Sequence, residues 1–337
     1  MSIKVLTVED STLIRTIINN TIKMMDGIEL VGTAENGKEA LLKIRELKPD
    51  VITLDMVMPV MDGLETLEKL REFSNVPVII LSARNDQSTT IRALENGAQD
   101  FLTKPESITK NREKFKNELE LHIKALANGQ PQTTSFSEGG KEKRSLVSPI
   151  ENVQAIVVGA STGGPKVIST LIQSLPRSLS LPVFIVQHMP KGFTASFAER
   201  LNTVSAVPVV EAKDKMSVER GKVYVAPGGY HMVVKNREIY LLDTEKIHGV
   251  KPAVDPLFES VIQTYGKKTL GVLLTGMGKD GAKGCLAIKK AGGYVLAQDE
   301  RSCVVYGMPK HAAELNAVDE LLSIEEIKNT IKEIVKD

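Results

Sequence analysis

Residues 159–163 read GASTG, a G-x-S-x-G pattern that can hold a serine on a sharp turn with its hydroxyl open to attack. The apolar run AIVV leads into it, and Pro165 and the helical pattern KVISTLIQSL follow, so Ser161 falls where a strand hands over to a helix. A hydroxyl is a weak nucleophile near neutral pH unless a base takes its proton. Of the five histidines, His188 is the candidate base, because it closes the run LPVFIVQ and so falls at a second strand end. His122 and His311 lie in helical patterns and His248 in a loop, while His231, after the turn APGGY, reads as structural. An acid must orient the base and stabilise its cation. Asp280, in LLTGMGKDGAKG after the run TLGVLL, is preferred, with Asp255 and Asp299 as alternatives.

A glycine-rich turn before a helix also suits anions. This one lacks the third glycine of G-x-G-x-x-G and the Lys-Ser/Thr ending of a P-loop, which argues against a nucleotide.

A second constellation lies nearer the N-terminus. Glu9 and Asp10 follow the run KVLTV, and Asp55 follows DVITL. Three carboxylates at the carboxyl ends of parallel strands make a hard oxygen site suited to Mg2+. Ser82 ends a fourth run, and Lys104 with Pro105 ends a fifth; a hydroxyl and an ammonium are what the oxygens of a phosphoryl group on Asp55 would need.

These residues need strands that end together. Over residues 1–124 the runs KVLTV, IELVGTA, DVITLD, VPVIIL and DFLTK alternate with helical patterns such as GKEALLKIRELK, which predicts a small doubly wound α/β domain. Residues 125–152 are polar, rich in Gly, Ser, Thr, Gln and Pro, and aperiodic, and read as a linker. Over residues 153–337 the alternation resumes through AIVVGAS, LPVFIVQH, KVYVAPGG, EIYLL, TLGVLLTG and GYVLAQD, with a hairpin expected in KVYVAPGGYHMVVKNREIYLL and a closing helix IEEIKNTIKEIVK.

The 337 residues suffice for two domains with proper cores. Basic and acidic side chains number 17 and 20 over residues 1–124 and 23 and 19 over 153–337, so no strong field points to nucleic acid or an anionic membrane. Two cysteines without CxxC spacing, no run of membrane-spanning length and an opening MSIKVLTVED without a signal-peptide core lead to the expectation of a cytoplasmic protein.

Glu9-Asp10, Asp55, Ser82 and Lys104-Pro105, with the stretch DMVMPVMDGLE, resemble the receiver domain of two-component response regulators. The resemblance implies a flavodoxin-like fold in which Asp55 takes a phosphoryl group from a histidine kinase, Glu9, Asp10 and Asp55 hold Mg2+, and Ser82, Phe101 and Lys104 read out the modification. A receiver and a linker, then GASTGG, QHMP, APGGYHM and LTGMGKDGA in that order, resemble the chemotaxis protein-glutamate methylesterase family over the whole chain. That implies a doubly wound α/β serine esterase domain without a cofactor, in which Ser161 attacks a glutamate γ-methyl ester of a chemoreceptor. His188 is then the base, Asp280 its orienting acid, and the amides near Thr162 and Met277 the oxyanion hole; deamidation of particular glutamines is also implied. The order Ser, His, Asp departs from that of α/β-hydrolases. An unphosphorylated receiver lying over the Ser161 cleft would give control.

Overall fold

The computed structural model describes residues 2–83, 86–104, 112–128 and 152–335. The five apolar runs of the N-terminal part become β1 (Ile3–Val8), β2 (Ile28–Ala34), β3 (Val51–Asp55), β4 (Val78–Ser82) and β5 (Asp100–Thr103). Between and after them lie α1 (Thr12–Ile22), α2 (Gly37–Leu47), α3 (Gly63–Arg71), α4 (Gln87–Glu95) and α5 (Arg112–Asn128). The strands are parallel in the order β2-β1-β3-β4-β5, the flavodoxin-like arrangement. Every residue of β3 and β4 is buried, as strands covered by helices on both faces require. Side chains cap three of the helix starts: Ser11 accepts from the Ile14 amide, Asn36 from Glu39 and Asp62 from Glu65.

Helix α5 reaches Asn128, four residues into the stretch expected to be linker. Leu119, Ile123 and Leu126 keep helical spacing and are buried, so the apolar stripe carries the helix on. The rest of the expected linker, residues 129–151, lies outside the described residues, as does Pro105.

The C-terminal part of the chain builds a second sheet. Its elements are β6 (Ala155–Ala160), α6 (Gly164–Gln173), β7 (Val183–Gln187), α7 (Phe193–Val204), β8 (Val209–Glu211), β9 (Met216–Ser217), β10 (Val223–Val225), β11 (His231–Lys235), β12 (Glu238–Leu242), α8 (Val254–Tyr265), β13 (Thr269–Leu273), α9 (Ala282–Lys290), β14 (Tyr294–Gln298), α10 (Met308–Glu314), β15 (Glu320–Leu322) and α11 (Ile324–Ile334). Seven parallel strands run in the order β15-β14-β13-β6-β7-β10-β8. Phe184 of β7 and Tyr224 of β10 stack on one face with ring centroids 5.5 Å apart, and Phe258 of α8 is wholly buried in the same core. Each such ring contributes about 1.5–3 kcal/mol by leaving water.

The expected hairpin is shorter than its segment. KVYV forms β10 inside the parallel sheet, and the antiparallel pair is β11 with β12, to which the two-residue β9 adds a third strand. The turn APGGY separates the two roles. Cys285 and Cys303 are free and buried, and burial raises both thiols, that of Cys303 to about 12, so neither is a reactive thiolate. No helix among the described residues is long and apolar enough to cross a membrane.

Candidate active site and phosphoacceptor site

In the seven-stranded sheet the chain steps from β6 to β7 on one side and later places β13 on the other, so the topological switch point lies between β6 and β13. Ligands of open α/β sheets bind in the crevice at such a point, beyond the carboxyl ends of the strands. Ser161 follows β6, His188 follows β7, and Asp280 lies in the loop after β13. Ala160 pairs with Gln187 in the ladder, and the His188 amide donates to the Ala160 carbonyl at 3.1 Å, so Ser161 and His188 leave adjacent strands side by side.

His188 Nε2 lies 2.7 Å from Asp280 Oδ2. The same carboxylate accepts from the Val254 amide at 2.7 Å, the Asp255 amide at 3.1 Å and the Gly281 amide at 3.0 Å. Two of these donors are the first residues of α8, whose orphan N–H groups and dipole suit an anion. Burial works to raise the Asp280 carboxyl, but the bond and charge of His188 and the α8 amides hold it below its ordinary value. A buried carboxylate that stays ionised can orient an imidazole and stabilise its cation. With Nε2 committed to Asp280, Nδ1 is the nitrogen left to accept a proton. No hydrogen bond among the described residues joins the Ser161 hydroxyl to His188.

The Ser161 amide donates to the Thr275 carbonyl at 3.0 Å and is thereby occupied. The adjoining Gly276 lies so close that a Cβ there would sit 2.7 Å from Ser161 Cβ and 2.4 Å from Met308 Sδ. Residue 277 comes next, and its amide meets no acceptor among the described residues, as an oxyanion donor should.

The alternatives to Asp280 have other partners. Asp255 accepts from the Gly284 amide at 2.8 Å and pairs with His248 Nε2 at 3.1 Å; burial lifts its carboxyl, with the bond from Gly284 opposing. Asp299 holds the amide and hydroxyl of Ser302. His231, buried in β11, lies between the Glu245 carbonyl at 2.9 Å and the Ala253 amide at 3.1 Å, which ties down the residue just before α8. His122 pairs with Asp100, and His311 Nδ1 meets the Gly307 carbonyl.

Some contributors carried no motif in the sequence. Gln298 Oε1 accepts from the Thr275 amide at 2.9 Å, and the Thr275 hydroxyl accepts from Val305 at 3.0 Å, which braces the carbonyl that holds Ser161. APGGY was read as a turn and as part of the motif APGGYHM, and it is also a brace. A Cβ on Gly228 would lie 2.5 Å from the backbone of Pro190 and Lys191, just past His188, and the Gly229 amide donates to the Lys251 carbonyl at 3.1 Å.

In the first unit, Glu9, Asp10 and Asp55 place carboxylate oxygens within 4.8 Å of one another at the β1/β3 switch point. Lys104 Nζ bridges Glu9 Oε2 at 2.7 Å and Asp55 Oδ1 at 2.8 Å. Burial raises the Glu9 carboxyl, with the Lys104 bond opposing. An all-oxygen donor set of this charge fits Mg2+. The Ser82 hydroxyl is turned to Thr90 Oγ1 at 2.7 Å and the Ala83 carbonyl at 3.0 Å, and Phe101 of β5 is buried.

Comparison with known proteins adds independent findings. Residues 156–331 match the CheB methylesterase family and residues 5–116 the response regulator receiver domain. A protein-glutamate methylesterase/protein-glutamine glutaminase of Methanococcus maripaludis is 43% identical, the alignment covering 95% of this chain and 94% of that protein. One of the same name from Clostridium acetobutylicum is 40% identical, with 99% and 98% covered. The crystal structure of the Thermotoga maritima CheB methylesterase catalytic domain is 42% identical and superposes with a TM-score of 0.52, covering 54% of this chain and 98% of that domain.

Proposed function

The chain belongs to the CheB methylesterase family, with a response regulator receiver domain ahead of the catalytic domain, and on that premise we propose how its residues work. It is a phosphorylation-controlled serine hydrolase that demethylates glutamate γ-methyl esters, and deamidates glutamines, of chemoreceptors. The observation that carries the assignment of residues is the 2.7 Å contact of His188 with Asp280 at the sheet crevice where Ser161 leaves β6.

Ser161 Oγ attacks the ester carbonyl carbon while His188 Nδ1 takes its proton. The tetrahedral oxyanion is held by the amides of Thr162 and Met277. Collapse breaks the C–O bond, His188 returns the proton to the departing methoxide, and methanol leaves a glutamyl ester on Ser161. His188 then deprotonates water, which attacks that ester, and the free glutamate and Ser161 are restored. An amide substrate follows the same course with ammonia as the leaving group. Asp280 stays ionised and fixes the proton on Nε2, so that Nδ1 is basic at each turn.

In the receiver, Asp55 accepts a phosphoryl group from a histidine kinase of the chemotaxis system. Glu9, Asp10 and Asp55 would hold Mg2+, which when bound supplies positive charge beside the phosphoacceptor. Lys104 is ion-paired with Asp55 and would meet a phosphoryl oxygen there. Ser82 must leave Thr90 to do the same, and Phe101 is the buried aromatic of the switch.

The test is methanol release from methylated chemoreceptor, with and without a small phosphodonor and Mg2+. Ser161→Ala is expected to abolish release, and Asp55→Asn to keep basal release but lose the stimulation. Release that survives Ser161→Ala would place the nucleophile elsewhere.

A further inference from the structure

Gln187 is the last residue of β7 and only 2% exposed, the one polar residue in the strand VFIVQ. Its Nε2 donates to the Ser161 carbonyl at 2.9 Å and to the His188 carbonyl at 3.3 Å. Both acceptors are oxygens, so the atom facing them must be the amide nitrogen, and the orientation of the amide is fixed. Its Oε1 is buried without a hydrogen-bond partner among the described residues. Burying an acceptor that nothing meets costs stability, and a core serving stability alone would favour an apolar side chain of this size.

We infer that Gln187 is a positioning residue: one buried side-chain amide straps the carbonyls of Ser161 and His188 and so sets how their side chains face each other. The inference rests on the proposed roles of Ser161 and His188. Each of these residues is the first beyond its strand: their amides are held, Ser161 by the Thr275 carbonyl and His188 by the Ala160 carbonyl, but their carbonyls lie past the ladder and meet Gln187. The ladder fixes Ala160 against Gln187, and the strap carries that register one residue further, to the pair that must exchange a proton.

The test is made in the full chain, on methylated chemoreceptor with a small phosphodonor and Mg2+, with kcat and KM separated and thermal unfolding followed alongside. Gln187→Met keeps the length and removes the donor. It is expected to lower kcat about 10- to 100-fold with KM within about twofold, while the unfolding temperature holds or rises. Gln187→Glu gives a readout that a packing role would not move. Ionised, it turns an oxygen anion on two carbonyls; protonated, it donates to one of them. Its activity relative to wild type is therefore expected to climb as pH falls. A Gln187→Met enzyme with wild-type kcat, or a Gln187→Glu ratio flat across pH, would overturn the strap. Ser161→Ala, measured in parallel, separates the two levels: release persisting there overturns the assignment of the nucleophile on which the strap depends.

Discussion

His188 meets Asp280 through Nε2, not Nδ1, the reverse of the contact in the usual serine triad, in which the acid holds Nδ1 and the serine faces Nε2. Asp280→Asn exploits this. A carboxamide can donate to Nε2, which then becomes the acceptor and leaves the proton on Nδ1, where the base should be. The variant is expected to fold and to lose about 10⁴-fold in kcat, read as methanol release. A loss below about tenfold would mean that Asp280 does not govern the tautomer.

Gly276→Ala should act directly on Ser161, the proposed nucleophile. The new methyl group would meet Ser161 Cβ at 2.7 Å and Met308 Sδ at 2.4 Å, so one of them must move. Turnover is expected to fall about 10- to 100-fold. Gly249→Ala is the control, because that glycine has φ +80° but nothing within 4 Å of an added Cβ. It should lower stability by about 1–2 kcal/mol through backbone strain and leave turnover of the folded enzyme near wild type.

Val60, in the loop after Asp55, has φ +69° and is 78% exposed. A β-branched residue in left-handed backbone is strained by about 1–2 kcal/mol, and at this exposure little burial offsets the strain. Val60→Gly removes the strain but adds freedom to the unfolded chain, for a net gain of about 0.5–1 kcal/mol in the unfolding of the receiver. Val60→Ala keeps a Cβ and should show no such gain.

The pair His122 and Asp100 should make receiver stability depend on pH. Burial works against the charged imidazole, but the charge and hydrogen bond of Asp100 prevail and raise its pKa. A raised folded value means that the stabilisation is fully present below the unfolded value of about 6.5 and is lost as pH rises through the folded one. His122→Gln is therefore expected to lower the thermal midpoint most below about pH 6 and least well above the folded value. Equal midpoint losses throughout would contradict this.

Strand ends were legible in the sequence because buried parallel strands are nearly uninterrupted apolar runs, and chemistry-bearing residues stand out where such runs stop. That is how Ser161, His188, Asp280 and the receiver carboxylates could be placed. The three-residue strands β8 and β15 and the two-residue β9 left no run long enough to notice. The hairpin lies inside the expected segment, but its bounds could not be read because KVYV and HMVVK are both strand-like, and only tertiary pairing assigns one to the parallel sheet and the other to the antiparallel one. Helix α5 passed into the expected linker because ALAN is compositionally neutral and its burial comes from Leu126. The supports of the site were the least legible. Gln187 was read as the end of the run LPVFIVQ and the first residue of QHMP with no role of its own, and the amides of Val254 and Asp255 that hold Asp280 are backbone groups delivered from 25 or more residues away.

The three strands that carry Ser161, His188 and Asp280 stand third, fourth and fifth in a sheet of seven, and its rims, β15 and β8, have only three residues each. Amide exchange with solvent enters such a sheet from its rims, where ladders are short and paired on one side alone. The outer strands can therefore open and close while β6, β7 and β13 stay shut, and the three proposed catalytic residues belong to the last part of the domain to feel its breathing.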